Sequence, residues 1–300
     1  MIPRENLTHW DALVYVEMFL AGVAAGAYMT AAILELVGRG RSSVARTAHL
    51  IAFPLMLVCG LLLTVDLGRP ERFWHMIVQS KTSLPMFKLW SPMSMGSWLV
   101  LVFPAFAFVS FLDALIAGRL FRIGGWRAES TLHGSPAGRI WAVIGGLLAF
   151  AVGSYSGILL SATNFPGWGD SAVLGALFVV TAVATGLGAL LLGEAIRGQT
   201  SHPDIGDLAR ASVMVILWQL ILIVVFVATL GPAGVRVFLA GSALVAIVGA
   251  ALLGGLLPLL LLRFGAAAAR PSMAALAGVL VLVGGFLLRY AVVIGPQQHG

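Results

Sequence analysis

Charge is what this chain lacks most: only 10% of its 300 residues are Asp, Glu, Lys or Arg, while 60% are hydrophobic and the mean hydropathy is +1.00. A soluble globule, a disordered segment and a charged coiled coil all need more polar residues than this. Cysteine is nearly absent. Cys59 stands alone in an apolar run, which excludes an internal disulfide and any cysteine-built metal cluster. Histidine is also sparse, with six in all; His9, His75, His133, His202 and His299 fall in loops or tails, and only His49 opens an apolar run. A haem held between two histidines inside a membrane is therefore not expected. The lysines Lys81 and Lys88 lie between apolar runs, so no lysine is placed to carry a retinal. There is no GxxxxGK[ST] phosphate loop and no HExxH zinc motif. The net charge of +6 comes from arginines between apolar runs, where membrane topology accounts for them and nucleic-acid binding is not needed.

What is present is hydrophobic length. Runs of about 20 apolar residues cross a bilayer as helices, and eight such runs are predicted near 12–37, 48–66, 92–117, 138–162, 171–196, 210–230, 234–262 and 272–295. The sequence reads as an all-α integral membrane protein. Its first run is too long for a cleavable signal peptide and begins with Glu5, Asp11 and Glu17 in place of basic residues. Gly231, Pro232 and Gly234 are expected to form a tight hairpin between the sixth and seventh spans. Connections are short, so the expected division is an N-terminal four-helix bundle, 1–162, and a C-terminal one, 163–300.

Arginine and lysine set the orientation. The side holding the N-terminus carries Arg4, Arg69, Arg72, Lys81, Lys88 and Arg236, and the opposite side carries eleven arginines. Positive loops stay in the cytoplasm, so both termini are expected outside. Loop 67–91 is the longest outer segment and carries Trp74 and Trp90, either as part of a docking surface or as interfacial anchors.

The few intramembrane ionisable groups narrow the function, because each costs roughly 2.5–3.5 kcal/mol at the bilayer centre on insertion scales. Glu17 and Glu35 are separated by five helical turns, about 27 Å, on one face of the first span, and Tyr28 falls near that face. Glu35, Asp113 and Glu194 each end a helix at the inner interface. They either snorkel and pair with loop arginines, or line a proton path. Asp66 closes the second span in Asp66-Leu67-Gly68-Arg69-Pro70, where it can cap, pair with Arg69 or serve a site. Gly153, Gly157 and Ser161 on the fourth span suit close helix packing, but the hydroxyl of Tyr155 among them needs a polar partner. Arg289, near the outer end of the last span, either pairs with an acid or snorkels, and snorkelling is the favoured expectation. Glu17, Asp66 and Tyr155 thus converge at similar depth near the outer face, as a neutral ligand with polar head atoms requires.

Several segments carry a family resemblance: Trp10-Asp11 with Phe19-Leu20-Ala21-Gly22-Val23-Ala24-Ala25-Gly26, Asp66-Leu67-Gly68-Arg69-Pro70-Glu71-Arg72-Phe73-Trp74, Lys88-Leu89-Trp90-Ser91-Pro92-Met93-Ser94-Met95-Gly96-Ser97-Trp98, and Tyr155-Ser156-Gly157-Ile158-Leu159-Leu160-Ser161. Together they resemble the NrfD and polysulfide reductase membrane-subunit family. The resemblance implies a quinone-reactive anchor in a prokaryotic cytoplasmic membrane, its first four helices holding a quinone such as menaquinone, with no haem or metal in this chain. The implied partners are a ferredoxin-like iron–sulfur subunit docked on the outer face, a catalytic subunit of molybdopterin type, and membrane lipid. Tyr155 matches the family tyrosine at the quinone head, Asp66 the acid before the arginine-proline turn, with Arg69 beside it. Glu17 stands where some members carry histidine. The reaction implied is electron exchange between the quinone pool and the iron–sulfur subunit; if the inner acids Glu35, Asp113 and Glu194 form a route from the cytoplasm, the process would separate charge. A proton-coupled secondary transporter is the alternative, because intramembrane acids and glycine-interrupted helices also mark transporters.

Overall fold

The computed structural model describes residues 10–118, 132–163, 167–198, 203–264 and 270–298. Arg4, Glu5, His9, Arg119, Arg122, Arg127, His202 and His299 lie outside the described residues. Among the described residues ten α-helices follow in order: α1 Ala12–Leu36, α2 Ser43–Asp66, α3 Pro92–Ala117, α4 Pro136–Ser161, α5 Leu174–Ile196, α6 Pro203–Thr229, α7 Pro232–Phe238, α8 Gly241–Ala251, α9 Leu257–Phe264 and α10 Pro271–Gln298. Eight of the described segments are long and apolar enough to span a membrane: α1 to α6, Gly241–Arg263, and α10. There is no strand among the described residues, only an isolated bridge between Val78 and Pro85.

Helix starts follow local chemistry. Asp11 caps α1 by accepting from the Leu13 amide at 2.8 Å, and Ser42 caps α2 through Ala45 at 3.1 Å. Ser91 and Ser135 cap α3 and α4, each followed by a proline at the first helical position, where a missing N–H costs nothing.

The region after α6 differs from the expected hairpin. Pro232 starts a short helix of its own, α7, instead of merely ending α6, and the seventh span begins only at Gly241, whose φ is +54°. A proline is well suited to the first turn of a helix, and glycine takes a left-handed φ freely, so the same residues that signal a turn build a helical step here. That span then contains a π-helical turn, Leu252–Leu256, between α8 and α9.

Helices α1 to α4 close a ring in which α1 touches α2 and α4, and α3 touches the same two. Helix α5 packs on α1, α4, α6 and α10, so α1 and α5 form the centre of the molecule. Their contact is made by small residues. A Cβ at Gly26 would collide with the carbonyl of Ala182, and one at Gly186 with the backbone of Gly26, so the two helices touch backbone to backbone. Gly157 of α4 likewise abuts Leu174 and Gly175 of α5, which gives the glycines around Tyr155 a packing role. An even number of spans puts both ends on one face, where Gln297 accepts from the Trp10 amide at 2.8 Å and donates to the Trp10 carbonyl at 3.1 Å.

Candidate functional site

At the face holding the chain ends, four helices contribute ionisable or phenolic groups to one neighbourhood. Glu17 of α1 is buried, and the charges it feels are those of Arg289 on α10 and Asp66 on α2. Tyr155 of α4 in turn feels Glu17. The phenol end of Tyr155 lies where a Cβ on Gly96 of α3 would sit, so the absence of a side chain at Gly96 makes its seat. No described residue hydrogen-bonds the Tyr155 hydroxyl, which leaves it available to a ligand. Cys59 of α2 donates to the Glu17 backbone carbonyl at 3.6 Å, fixing α2 against α1 at this level.

Arg289 overturns the expectation that it snorkels: only 2% of it is exposed. Its Nη2 donates to the Phe178 carbonyl at 3.0 Å, and its guanidinium lies 3.7 Å from the centre of the Phe178 ring. The reason is angular. Position 289 faces α5 and α1, where Glu17, an aromatic face and a carbonyl receive the charge, and where Gly22 leaves room 3.3 Å away. Its Nε and Nη1 have no hydrogen-bond partner, so the group has donors to spare toward the Glu17 side.

Asp66 and Arg69 are exposed at the membrane edge. Asp66 is the last residue of α2, Gly68 turns the chain with φ +67°, and Arg69 precedes a 3-10 turn over Pro70–Met76 without capping it. The local Asp66–Arg69 pairing and the Asp66 cap are both absent among the described contacts.

The loop 67–91 is an ordered platform. The Gln79 amide donates to Leu84 at 2.9 Å and the Met86 amide to Ile77 at 2.8 Å, closing a small hairpin around the Val78–Pro85 bridge. Two residues of the Trp-Ser-Pro-Met-Ser segment and its extension anchor it: Ser94 accepts from the Lys88 amide at 3.1 Å, and Trp98 Nε1 donates to the Met86 carbonyl at 2.9 Å. Phe73, Trp74, Phe87 and Trp90 remain exposed, with Trp90 at 82%.

At the opposite face the three acids part company. All are buried. Glu35 accepts from the Gly134 amide at 2.7 Å and stands 3.5 Å from His133 Nδ1. Asp113 accepts from the amides of Leu132 and His133, each at 3.3 Å. These two therefore hold the same loop and do not snorkel. Glu194 accepts from Ser43 at 2.8 Å and Thr47 at 2.5 Å, and Arg197 donates to Thr47, in a separate cluster between α2 and α5. Sequence reasoning does not foresee His133 there: its imidazole stacks on His49 with ring centres 4.3 Å apart and planes 15° apart. Burial lowers the His133 pKa from its usual value, while Asp113 and Glu35 pull it upward. The one available signal is position, since His133 lies two residues before the Ser135-Pro136 cap that brings the loop back to the membrane. Beyond His49, Tyr28 bonds to Ser110 at 3.0 Å, and Trp141 donates to the same hydroxyl at 3.1 Å. Among the described residues no group of three or more His, Cys, Asp or Glu is arranged to hold a metal ion.

Against known proteins, the sequence profile of the family described as "Polysulphide reductase, NrfD" matches residues 2–299. The protein belongs to this family. It is 31% identical over 225 residues to the C subunit of polysulfide reductase from Wolinella succinogenes, with 72% of the present sequence and 67% of that subunit covered. Protein NrfD of Escherichia coli strain K12 is 28% identical over 232 residues, with 72% of the present sequence and 70% of that protein covered. The resemblance read from the Asp66–Trp74 and Lys88–Trp98 segments thus extends over nearly the whole sequence, including the last three spans. The protein is a multi-pass membrane subunit of an oxidoreductase family.

Proposed function

We propose that this protein is the quinone-reactive anchor of a respiratory oxidoreductase in a prokaryotic cytoplasmic membrane, with both termini outside. The observation that carries the reading is the set of Glu17, Arg289 and Tyr155 at one end of the bundle: a buried acid, a buried arginine and an unbonded phenol, each from a different helix. A quinone or menaquinone head has two carbonyl oxygens on an apolar ring and a long apolar tail. A half-buried phenol among lipid-facing helices fits such a molecule.

A bound quinol supplies two electrons and two protons. In this protein Tyr155 hydrogen-bonds a head-group oxygen, and Glu17 accepts a proton, with Asp66 as the second acid at the aqueous edge. Arg289 keeps negative charge on Glu17 tolerable in the apolar interior. Arg69 sits at the same edge, where the approaching head passes. Electrons leave to a ferredoxin-like iron–sulfur subunit seated on loop 67–91, whose exposed Phe73, Trp74, Phe87 and Trp90 offer an aromatic contact. A catalytic subunit of molybdopterin type completes the complex. The opposite face, with Glu35 and Asp113, serves proton entry, and Glu194 lies to one side of it.

The test is binding of a fluorescent quinol-site inhibitor to the purified complex. Saturable binding in the wild type, weakened at least tenfold by both Glu17→Gln and Tyr155→Phe, is the expected result. Absence of binding in the wild type with its iron–sulfur partner present overturns the reading and favours the transporter.

A further inference from the structure

The end of the bundle remote from the quinone-side residues holds a small cavity of about 20 Å3, lined by Arg41, Arg46, His49, Asp113 and His133 with Gly40 and Ala114. Its polar inventory is unusual in one respect. Asp113 accepts from two backbone amides, Glu35 Oε1 accepts from the Gly134 amide, and Arg41 Nε donates to the His133 carbonyl at 2.9 Å. The second Glu35 oxygen, Oε2, is buried without a hydrogen-bond partner 3.5 Å from His133 Nδ1, and His49 Nδ1, both nitrogens of His133 and Arg46 Nε are also buried without one. Buried imidazoles of this kind bind water or a proton.

The depth of the polar groups is limited. From the cavity the sequence of groups runs through the stacked His133 and His49 to Tyr28, whose ring meets His49 edge-on at 5.2 Å, and ends at the Tyr28–Ser110–Trp141 hydrogen bonds. Beyond Tyr28, a buried layer of Ala21, Ala24, Ala25, Met56, Cys59 and Phe103 fills the bundle. Tyr28 and Glu17 are eleven residues apart on α1, about 16 Å along the axis.

We propose that this cavity is a one-sided proton-exchange site in which the stacked His49 and His133 share a single proton taken from the aqueous phase at that face, sealed from the Glu17 side by the apolar layer. Two positive imidazoles stacked at this separation repel each other, so one proton satisfies the pair. The groups that set its charge are Glu35 from α1, Arg41 from the α1–α2 turn, Arg46 from α2 and Asp113 from α3, with Tyr28 above. The inference deepens the proton-entry part of the proposed function and is independent of quinone binding.

The experiment uses the full-length protein in vesicles of uniform orientation, with histidine labelled for infrared and nitrogen NMR detection. Lowering the pH of one compartment from about 8 to about 4.5 should protonate the pair only when the compartment facing the cavity is acidified. The signal should amount to one proton, persist in either His49→Gln or His133→Gln alone, and disappear when both substitutions are combined. Glu35→Gln keeps an acceptor for the Gly134 amide while removing a negative charge, and should move the midpoint to lower pH. Uptake of two protons, uptake of none, or a response to acid on the Glu17 side each overturns the proposal. Inhibitor binding measured on the same samples separates this outcome from failure of the quinone reading, since neither histidine lies at that site.

Discussion

Substituting alanine for glycine at two helical positions should give opposite results, because only one of them is a contact. At Gly26 a Cβ would fall on the carbonyl oxygen and carbon of Ala182 and against the Val183 backbone at 3.0 Å; at Gly60, in the outer half of α2, nothing lies within 4 Å. Alanine is the better helix former by about 1 kcal/mol in both places. At Gly60 that gain stands alone, and Gly60→Ala should be neutral to stabilising by up to about 1 kcal/mol. At Gly26 the colliding atoms are backbone and cannot rotate away, so α1 and α5 must separate by roughly 1 Å. Overpacking of this kind costs about 1–3 kcal/mol, and because the helix-propensity gain is common to both, the difference between the two variants should be about 1–3 kcal/mol. Reversible unfolding of the purified protein in mixed micelles measures it directly. The separation has a functional consequence too, since α1 carries Glu17 and α5 carries the Phe178 ring and carbonyl that hold Arg289. A misplacement near 1 Å in a reacting constellation costs on the order of 100-fold in rate, so the quinol-oxidising activity of the assembled complex should fall by about that factor in Gly26→Ala and stay unchanged in Gly60→Ala. Equal stability of the two variants would refute the backbone contact between α1 and α5.

Other consequences are open to simpler assays. Gly96→Val should fill the seat of the Tyr155 phenol and weaken inhibitor binding about tenfold, with little effect on unfolding, because the atom it meets is the end of a side chain that can swing. Trp98→Phe should remove the indole bond to the Met86 carbonyl, cost about 1 kcal/mol, and make Lys81 and Lys88 faster sites of cleavage by trypsin added from the side that loop 67–91 faces. For His133, burial favours the neutral imidazole more than Glu35 and Asp113 favour the charged one, so the pKa in the folded protein lies below that of the unfolded chain. The unfolded chain then binds more protons between the two values. Stability is complete above about pH 6.5 and declines as pH falls toward the folded value. His133→Gln should flatten that decline in an unfolding series, and an unchanged slope would remove His133 from the account.

Much of the fold is legible in the sequence because a bilayer imposes a length rule that composition can satisfy in few ways. Hydropathy places the first five spans and the last to within a few residues except at the start of α2, where Ser42 begins the helix five residues before the apolar run. It makes the seventh too long, being blind to the step at Leu239–Gly241, which separates two apolar helices without a polar residue. The candidate site is legible for a related reason: an acid inside an apolar helix is costly enough to be noticed singly. Glu17 and Tyr155 stand out in that way. What the sequence does not disclose is which helix supplies the partner. Arg289 lies 272 positions from Glu17, and no periodicity on α1 or α10 links them.

That gap has a physical origin in how the helices are brought together. In lipid the apolar face of a helix gains nothing by meeting another apolar face, so the side on which α1 meets α5 is decided by where small residues permit backbone contact. Gly22 and Gly26 on α1, with Ala182 and Gly186 on α5, make that choice. Once α5 is seated there, Phe178 comes to lie beneath Arg289, and Gly22, one turn before Gly26, is the position that leaves the guanidinium room beside α1. The glycines that permit packing therefore also admit the charge. A side chain at Gly22 larger than alanine should expel Arg289 from the Glu17 neighbourhood while leaving the α1–α5 contact at Gly26 in place. Inhibitor binding should then fall without the loss of stability expected for Gly26→Ala, and loss of both together would show that the two glycines act as one packing surface with no separate role in holding the arginine.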